Sequence, residues 1–197
     1  MAKIQTSRKK SKKDVILQEA AALFKNKGFN ATSMRELAEV LGVEAPSLYN
    51  HIGSKSELLQ EICFRIGRRF THESDRIANL PLSPLDRIEQ IARFHIRTMA
   101  NEFDEVYVAN HEWKHLQEPA LTEFLQIRRQ YEKDLLNLIA EGTRERTIRP
   151  IHPYVAKLTL LSALRGIEFW HRNKKNISLQ QLEDDMVNHL LNGLKNS

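Results

Sequence analysis

The sequence predicts an all-α protein: an N-terminal three-helix bundle containing a helix-turn-helix, plus a larger helical domain, about nine helices in total. Three observations predict it. Apolar residues recur at the 3.6-residue helical period along the chain, without the alternation of strands. Seven glycines and six prolines stand between the periodic segments as punctuation. Two short periodic segments flank Leu41-Gly42-Val43-Glu44, the layout of two helices crossing at a tight turn.

The elements follow in order. A first helix is expected over 13–27, with Ile16, Ala20, Leu23 and Phe24 as its apolar stripe, Gly28 as its stop and Phe29 anchoring the turn. Ser33-Met34-Arg35-Glu36 has the form of a capping box and opens a second helix ending at Gly42, a residue free to take the positive φ of a tight turn. A third helix is expected from Ala45 to Ile52, stopped by Gly53. Leu37, Ala38, Leu41, Val43, Leu48 and Ile52 are spaced to share one small core. Ser54-Lys55-Ser56-Glu57 is a second box. It starts a long connecting helix through Leu58, Leu59, Ile62, Ile66 and Phe70 to about Asn79, where Pro81 and Pro84 break the chain. Further helices are expected over 84–101, 105–116, 118–145, 153–173 and 178–195, with turns at 98–104 and 146–153. The organisation is therefore a disordered basic arm (1–12), a helix-turn-helix domain (13–60) with its connecting helix to 79, and a domain over 80–197.

The charge is unevenly placed. Residues 1–79 carry 14 basic and 9 acidic side chains, and the rest of the chain carries 16 of each. The whole excess of +5 thus lies in the N-terminal part, and Lys3, Arg8, Lys9, Lys10, Lys12 and Lys13 come before any acid. That asymmetry points to a polyanionic partner. No apolar run approaches the ~18 residues of a membrane span, and no secretory leader is read at the start. One cysteine, Cys63, allows no internal disulfide and is expected in the core. The expected setting is a cytoplasm, with no membrane partner.

In a helix-turn-helix the second helix enters the major groove and presents its N-terminal residues to base edges. Its outward face here carries Ala45, Pro46, Ser47, Tyr49, Asn50 and His51, short polar groups and a flat aromatic suited to bases and phosphates. Lys55 combines a helix start with a cation, as a phosphate contact needs. Thr32–Ala38, Leu41-Gly42-Val43 and Ser47–Leu59 resemble the DNA-binding signature of TetR-family repressors over about residues 13–60, with Ile52 where the family more often has Phe. The resemblance implies DNA contacts at Arg35, Ser47, Tyr49, Asn50, His51 and Lys55, those of Tyr49, His51 and Lys55 mainly to phosphate, and Ser33 at the start of the second helix is expected on the same DNA-binding face. It implies a double-stranded operator as partner. Lysines before the first helix would then lie along phosphates or enter a minor groove.

In the C-terminal domain, Val155, Leu158, Leu161, Ser162 and Ile167 mark one apolar stripe, and Leu179, Leu182, Met186, Leu190, Leu191 and Leu194 another. Apolar surface left over on a helix pair calls for a partner, and TetR-like proteins form a four-helix dimer interface there. A homodimer through about 153–195 is expected, reading a near-palindromic operator. Phe94, His95, Phe103, Tyr107, Trp113, Phe124, Arg128 and Tyr131 mix aromatic and directional polar groups, as effector cavities do, although such a stripe equally makes plain core. Glu112-Trp113, Arg128–Tyr131, Gly142, Phe169-Trp170 and Leu190–Leu194 resemble a C-terminal subfamily tied to acyl-CoA and related acids, with Arg146 where that pattern usually has Gly.

His111-Glu112-Trp113-Lys114-His115 spells H-E-x-x-H, which on a helix sets two imidazoles and a carboxylate on one face for zinc. No third ligand stands at a persuasive distance, and no phosphate loop, nucleophile elbow or Cys–His pair accompanies it. The expectation is a non-enzymatic, ligand-responsive repressor without cofactor, released by a small molecule such as an acyl-CoA ester or a hydrophobic acid. The alternatives are a metal-responsive regulator using His111 and His115, or a zinc hydrolase.

Overall fold

The computed structural model describes residues 11–173 and 177–196. The basic arm lies outside these residues except for Ser11 and Lys12. Regular structure among them is helical, with one isolated antiparallel bridge between Ile148 and Lys195.

Helix α1 (Lys12–Lys27) starts at Ser11, whose hydroxyl and the Asp14 carboxylate cap each other's backbone N–H groups, and closes at Gly28, φ +86°. Its buried face is Ile16, Leu17, Ala20, Ala21 and Phe24. Helix α2 (Met34–Leu41) is capped by the Ser33 hydroxyl, which accepts the Glu36 N–H at 3.2 Å. The box expected there is only half made, because the Glu36 carboxylate turns instead to Lys27 of α1. Gly42 ends α2 in the left-handed region, φ +66°. Helix α3 (Ala45–Tyr49) is shorter than expected, and Asn50 and His51 form a turn. Ile52 is buried all the same, with Leu37, Ala38 and Leu48. Val43 is 43% exposed, because the left-handed turn at Gly42 carries it outward.

Helix α4 (Lys55–Ala78) runs from the head, made of α1–α3, into the body, made of the helices that follow it, capped by Ser54 and packed on α1 at one end. Then follow α5 (Pro84–Asn101), α6 (Phe103–His111), a 3-10 turn (Trp113–His115) and α7 (Ala120–Arg144). The turn expected over 98–104 shrinks to Glu102, and Thr98 is buried inside α5. The segment expected as one helix over 153–173 breaks at Gly166 into α8 (Pro153–Arg165) and α9 (Ile167–Asn173), glycine being the weak point of a helix interior. Helix α10 (Leu179–Asn192) returns against α5. There Glu183, 2% exposed, accepts both Arg97 (2.7 and 2.8 Å) and Arg93 (2.9 Å). Burial raises the Glu183 pKa, but these two guanidiniums outweigh it and hold the carboxyl below its ordinary value. The buried apolar residues form one cluster from Ile16 to Leu194, so head and body share a core.

Candidate DNA-reading face and effector cavity

Leu48 is the inward anchor of α3, and the residues around it face water. Pro46, Ser47, Tyr49, Asn50 and His51 are exposed, and Ala45 is half-buried. Ser33, whose hydroxyl is the α2 cap, is exposed nearby. Arg35 is exposed and bonded to Glu39 at 3.2 Å, a surface pair that contributes little to stability. Lys55 behaves differently from the sequence expectation. Its ammonium donates to the carbonyls of Phe29 and Thr32, both at 2.8 Å, and lies 4.4 Å from the Phe29 ring centroid. The cation closes the α1–α2 turn.

Phe29 joins head to body. Its backbone N–H donates to the Glu112 carboxylate at 3.0 Å, and its ring stacks on His115 at 5.4 Å. A second tie pairs Lys25 of α1 with Asp104 of α6 at 2.5 Å. Helix α6 therefore holds α1 on one side while Val106, Ala109 and Asn110 line a cavity on the other.

That cavity has a volume of about 100 Å³ and lies among α4, α5, α6, α7 and α8. Of the eight predicted effector residues, His95, Phe124, Arg128 and Tyr131 line it. Phe94 instead packs on Phe70, and Phe103 stacks on His171 at 3.8 Å. Tyr107 packs on His111, and Trp113 stands beside Arg128, 5.3 Å from its guanidinium carbon. These four follow the aromatic count but occupy other faces of their helices. Arg165, Glu132, Asn110 and Phe70 also line the cavity. Arg165 was findable, since it lies one helical turn beyond Leu161, another lining residue. His95 Nε2 and the Tyr131 hydroxyl are hydrogen-bonded. Burial, aided by the charge of Arg165, lowers the His95 pKa to about 3, so the ring is neutral at pH 7. Burial pushes the Tyr131 hydroxyl above its ordinary value.

The H-E-x-x-H segment is not a zincin helix. Helix α6 stops at His111 and the chain passes into the 3-10 turn, so the two imidazoles do not share one helical face. His111 Nε2 lies 3.0 Å from Glu168 of α9, while Glu112 and His115 hold Phe29. Among the described residues no group of three His, Cys, Asp or Glu side chains is placed to hold a metal ion. Cys63 is fully buried, and burial raises its thiol pKa to about 12. No described helix is long and apolar enough to cross a membrane.

The predicted stripe of the last segments splits. Leu161 and Ile167 are buried, whereas Tyr154, Val155, Leu158 and Phe169 are about half or more exposed, and Ser162 lies among them. Leu194, just past the end of α10, is buried, while Leu179, Leu182, Met186, Leu190 and Leu191 on the helix are only partly so.

Residues 81–194 match the family described as "Tetracyclin repressor-like, C-terminal domain", and residues 16–62 match "Bacterial regulatory proteins, tetR family". The HTH-type transcriptional repressor KstR2 of Mycolicibacterium smegmatis is 22% identical over 204 residues, covering 100% of this chain and 97% of its own. Among solved structures, the ketosteroid transcriptional regulator KstR2 of Mycobacterium tuberculosis has a TM-score of 0.89 at 21% identity, over 96% of this chain and 98% of its own. AibR, in complex with isovaleryl coenzyme A and operator DNA, has a TM-score of 0.79 at 25% identity, over 92% of this chain and 98% of its own.

Proposed function

The chain belongs to the TetR family of bacterial regulatory proteins, and from that premise we propose that it is a ligand-released repressor, working as a homodimer on a near-palindromic operator. The observation that carries the reading is the exposure of Ser47, Tyr49, Asn50 and His51 on a short helix anchored by buried Leu48. These groups face water rather than the core, which leaves them open to a major groove. The exposed apolar face of Tyr154, Val155, Leu158 and Phe169 supports the second half, since such a face wants a partner of its own kind. A two-fold dimer would set its reading helices about 34–36 Å apart.

The effector proposed is an acyl-CoA ester or a related hydrophobic acid, with its acyl end in the cavity. The named partner of AibR, isovaleryl coenzyme A, supports that class. A ligand shifts the equilibrium only if it binds one state better. Helix α4 carries Ile66, Gly67 and Phe70 on the cavity wall and begins at Lys55 beside the reading helix. Occupation that moves α4 or α6 therefore moves the head. Titration of acyl-CoA esters of increasing chain length into operator-bound protein, followed by fluorescence anisotropy, tests the reading. Release by at least one ester supports it, and retention of the operator at saturation by every ester and by the corresponding free acids overturns the effector assignment.

A further inference from the structure

Resting on that effector reading, we propose that the effector's buried end carries a carboxylate, received by Arg128. The three charged residues lining the cavity are Arg128, Arg165 and Glu132. Glu132 is already neutralised, its Oε2 lying 2.6 Å from the ammonium of Lys157. The wall is thus left with positive charge in excess. Arg128 Nη1 is shut off from solvent and has no hydrogen-bond acceptor among the described residues. Trp113 and Phe124 lie 5.3 and 5.9 Å from the guanidinium carbon. Ring faces attract the charge, but they leave an N–H donor without the acceptor oxygen that buried charged donors require. Burial, then the nearby charge of Arg165, lowers the Arg128 pKa, a sign that the guanidinium is short of compensating charge. His95 adds no competing cation, being neutral at pH 7.

A carboxylate entering the cavity meets a planar, always charged fork suited to two-point bonding. A neutral branched alkyl end of the same shape leaves Arg128 Nη1 without an acceptor. The volume of about 100 Å³ sets the size of the body behind the carboxylate. It is somewhat smaller than a ~150 Å³ cavity that holds benzene, so about five carbons is the scale. The shared chemistry is a short carboxylate, available either as a free acid or as the far carboxyl of a dicarboxylic acyl thioester.

Two matched pairs separate charge from shape and one source from the other. Glutaryl-CoA is compared with 5-methylhexanoyl-CoA, in which an isopropyl group replaces the carboxylate. Free 5-methylhexanoate is compared with its amide. Binding to the full-length protein is read by tryptophan fluorescence, Trp113 being beside Arg128, and operator release is read separately by anisotropy. The charged member of at least one pair is expected to bind about tenfold or more tightly than its partner, the effect of a hydrogen bond to a charged group. In Arg128→Met that ratio collapses toward one while the uncharged member still binds, and in Arg128→Lys part of it returns. Preference in the first pair alone identifies the thioester source, and in the second alone the free acid. Equal binding within both pairs overturns the proposal, as does failure of all four compounds to bind. Charge-selective binding without operator release upholds the carboxylate site and defeats the effector reading. Release by the uncharged members with equal potency does the reverse.

Discussion

Glu112 accepts a hydrogen bond from the backbone N–H of Phe29 at 3.0 Å, joining residues 83 positions apart in sequence. The Phe29 ring contacts both His115 of the body and the ammonium of Lys55 at the start of α4. The turn that orients α2 and α3 is therefore held from the body by one carboxylate and one imidazole. Glu112→Ala leaves a part-buried N–H without its acceptor and should cost about 1–3 kcal/mol of stability. Operator affinity should fall with it, and Glu112→Gln, which keeps an acceptor oxygen, should restore most of both. Urea denaturation alongside operator titration checks this. Unchanged values in Glu112→Ala would show the contact to be incidental.

Acid should weaken the fold through His95. The ring is neutral when folded, with a pKa of about 3, against an ordinary value of 6.5. Above pH 6.5 neither state is protonated and stability is full. As pH falls below 6.5, the unfolded chain gains a proton that the folded one refuses. Stability should drop by about 1.4 kcal/mol per pH unit from this group, down toward the folded pKa. His95→Gln removes the titration, so its stability between pH 6.5 and 5 should fall less steeply than that of the native protein. Parallel slopes for the two proteins would contradict the assignment.

On the reading face, base and backbone contacts separate by specificity. Asn50→Ala should cost about 1–3 kcal/mol on the best operator and much less on random duplex, as loss of a base contact does. Tyr49→Phe should weaken binding to both alike, as loss of a phosphate contact does. Anisotropy titrations with both duplexes, at fixed salt, check the pair. Uniform loss for Asn50→Ala would move that residue to the phosphate class.

Arg146 sits at φ +60°, a left-handed conformation that L side chains adopt at a cost of roughly 1–2 kcal/mol. Arg146→Gly removes the cost and gives back part of it as chain freedom in the unfolded state. A net stabilisation of about 0.5–1 kcal/mol is expected, visible as a raised denaturation midpoint. A lowered midpoint would show that the Arg146 side chain contributes more than its backbone costs.

The head was legible in the sequence because its information is local. Caps at Ser33 and Ser54, the stop at Gly42 and the buried spacing of Leu37, Ala38, Leu48 and Ile52 are all set within a few residues. The bonds of the Lys55 ammonium within the chain were not legible, because its partners, the carbonyls of Phe29 and Thr32, come from a distant turn, and spacing says nothing of them. The cavity was half legible. Aromatic content marks the region, but only tertiary packing decides that Tyr131 faces the void while Phe103 faces His171. The H-E-x-x-H pattern presumed a continuous helix, and α6 ends at its first residue. At Arg146 the sequence carried a real clue. A position where the resembled pattern has Gly is one whose backbone takes a positive φ.

The central claim is a two-fold particle reading two half-sites, and selection of bound duplexes from a random library tests it most directly. The account predicts enrichment of near-palindromic sequences with half-site centres about 10 base pairs or a multiple apart. Leu158→Glu, which places a charge on the exposed face of α8, should abolish that enrichment and yield monomers in sedimentation. Recovery of lone half-sites, or of no preferred sequence, by a native protein that sediments as a monomer would contradict it.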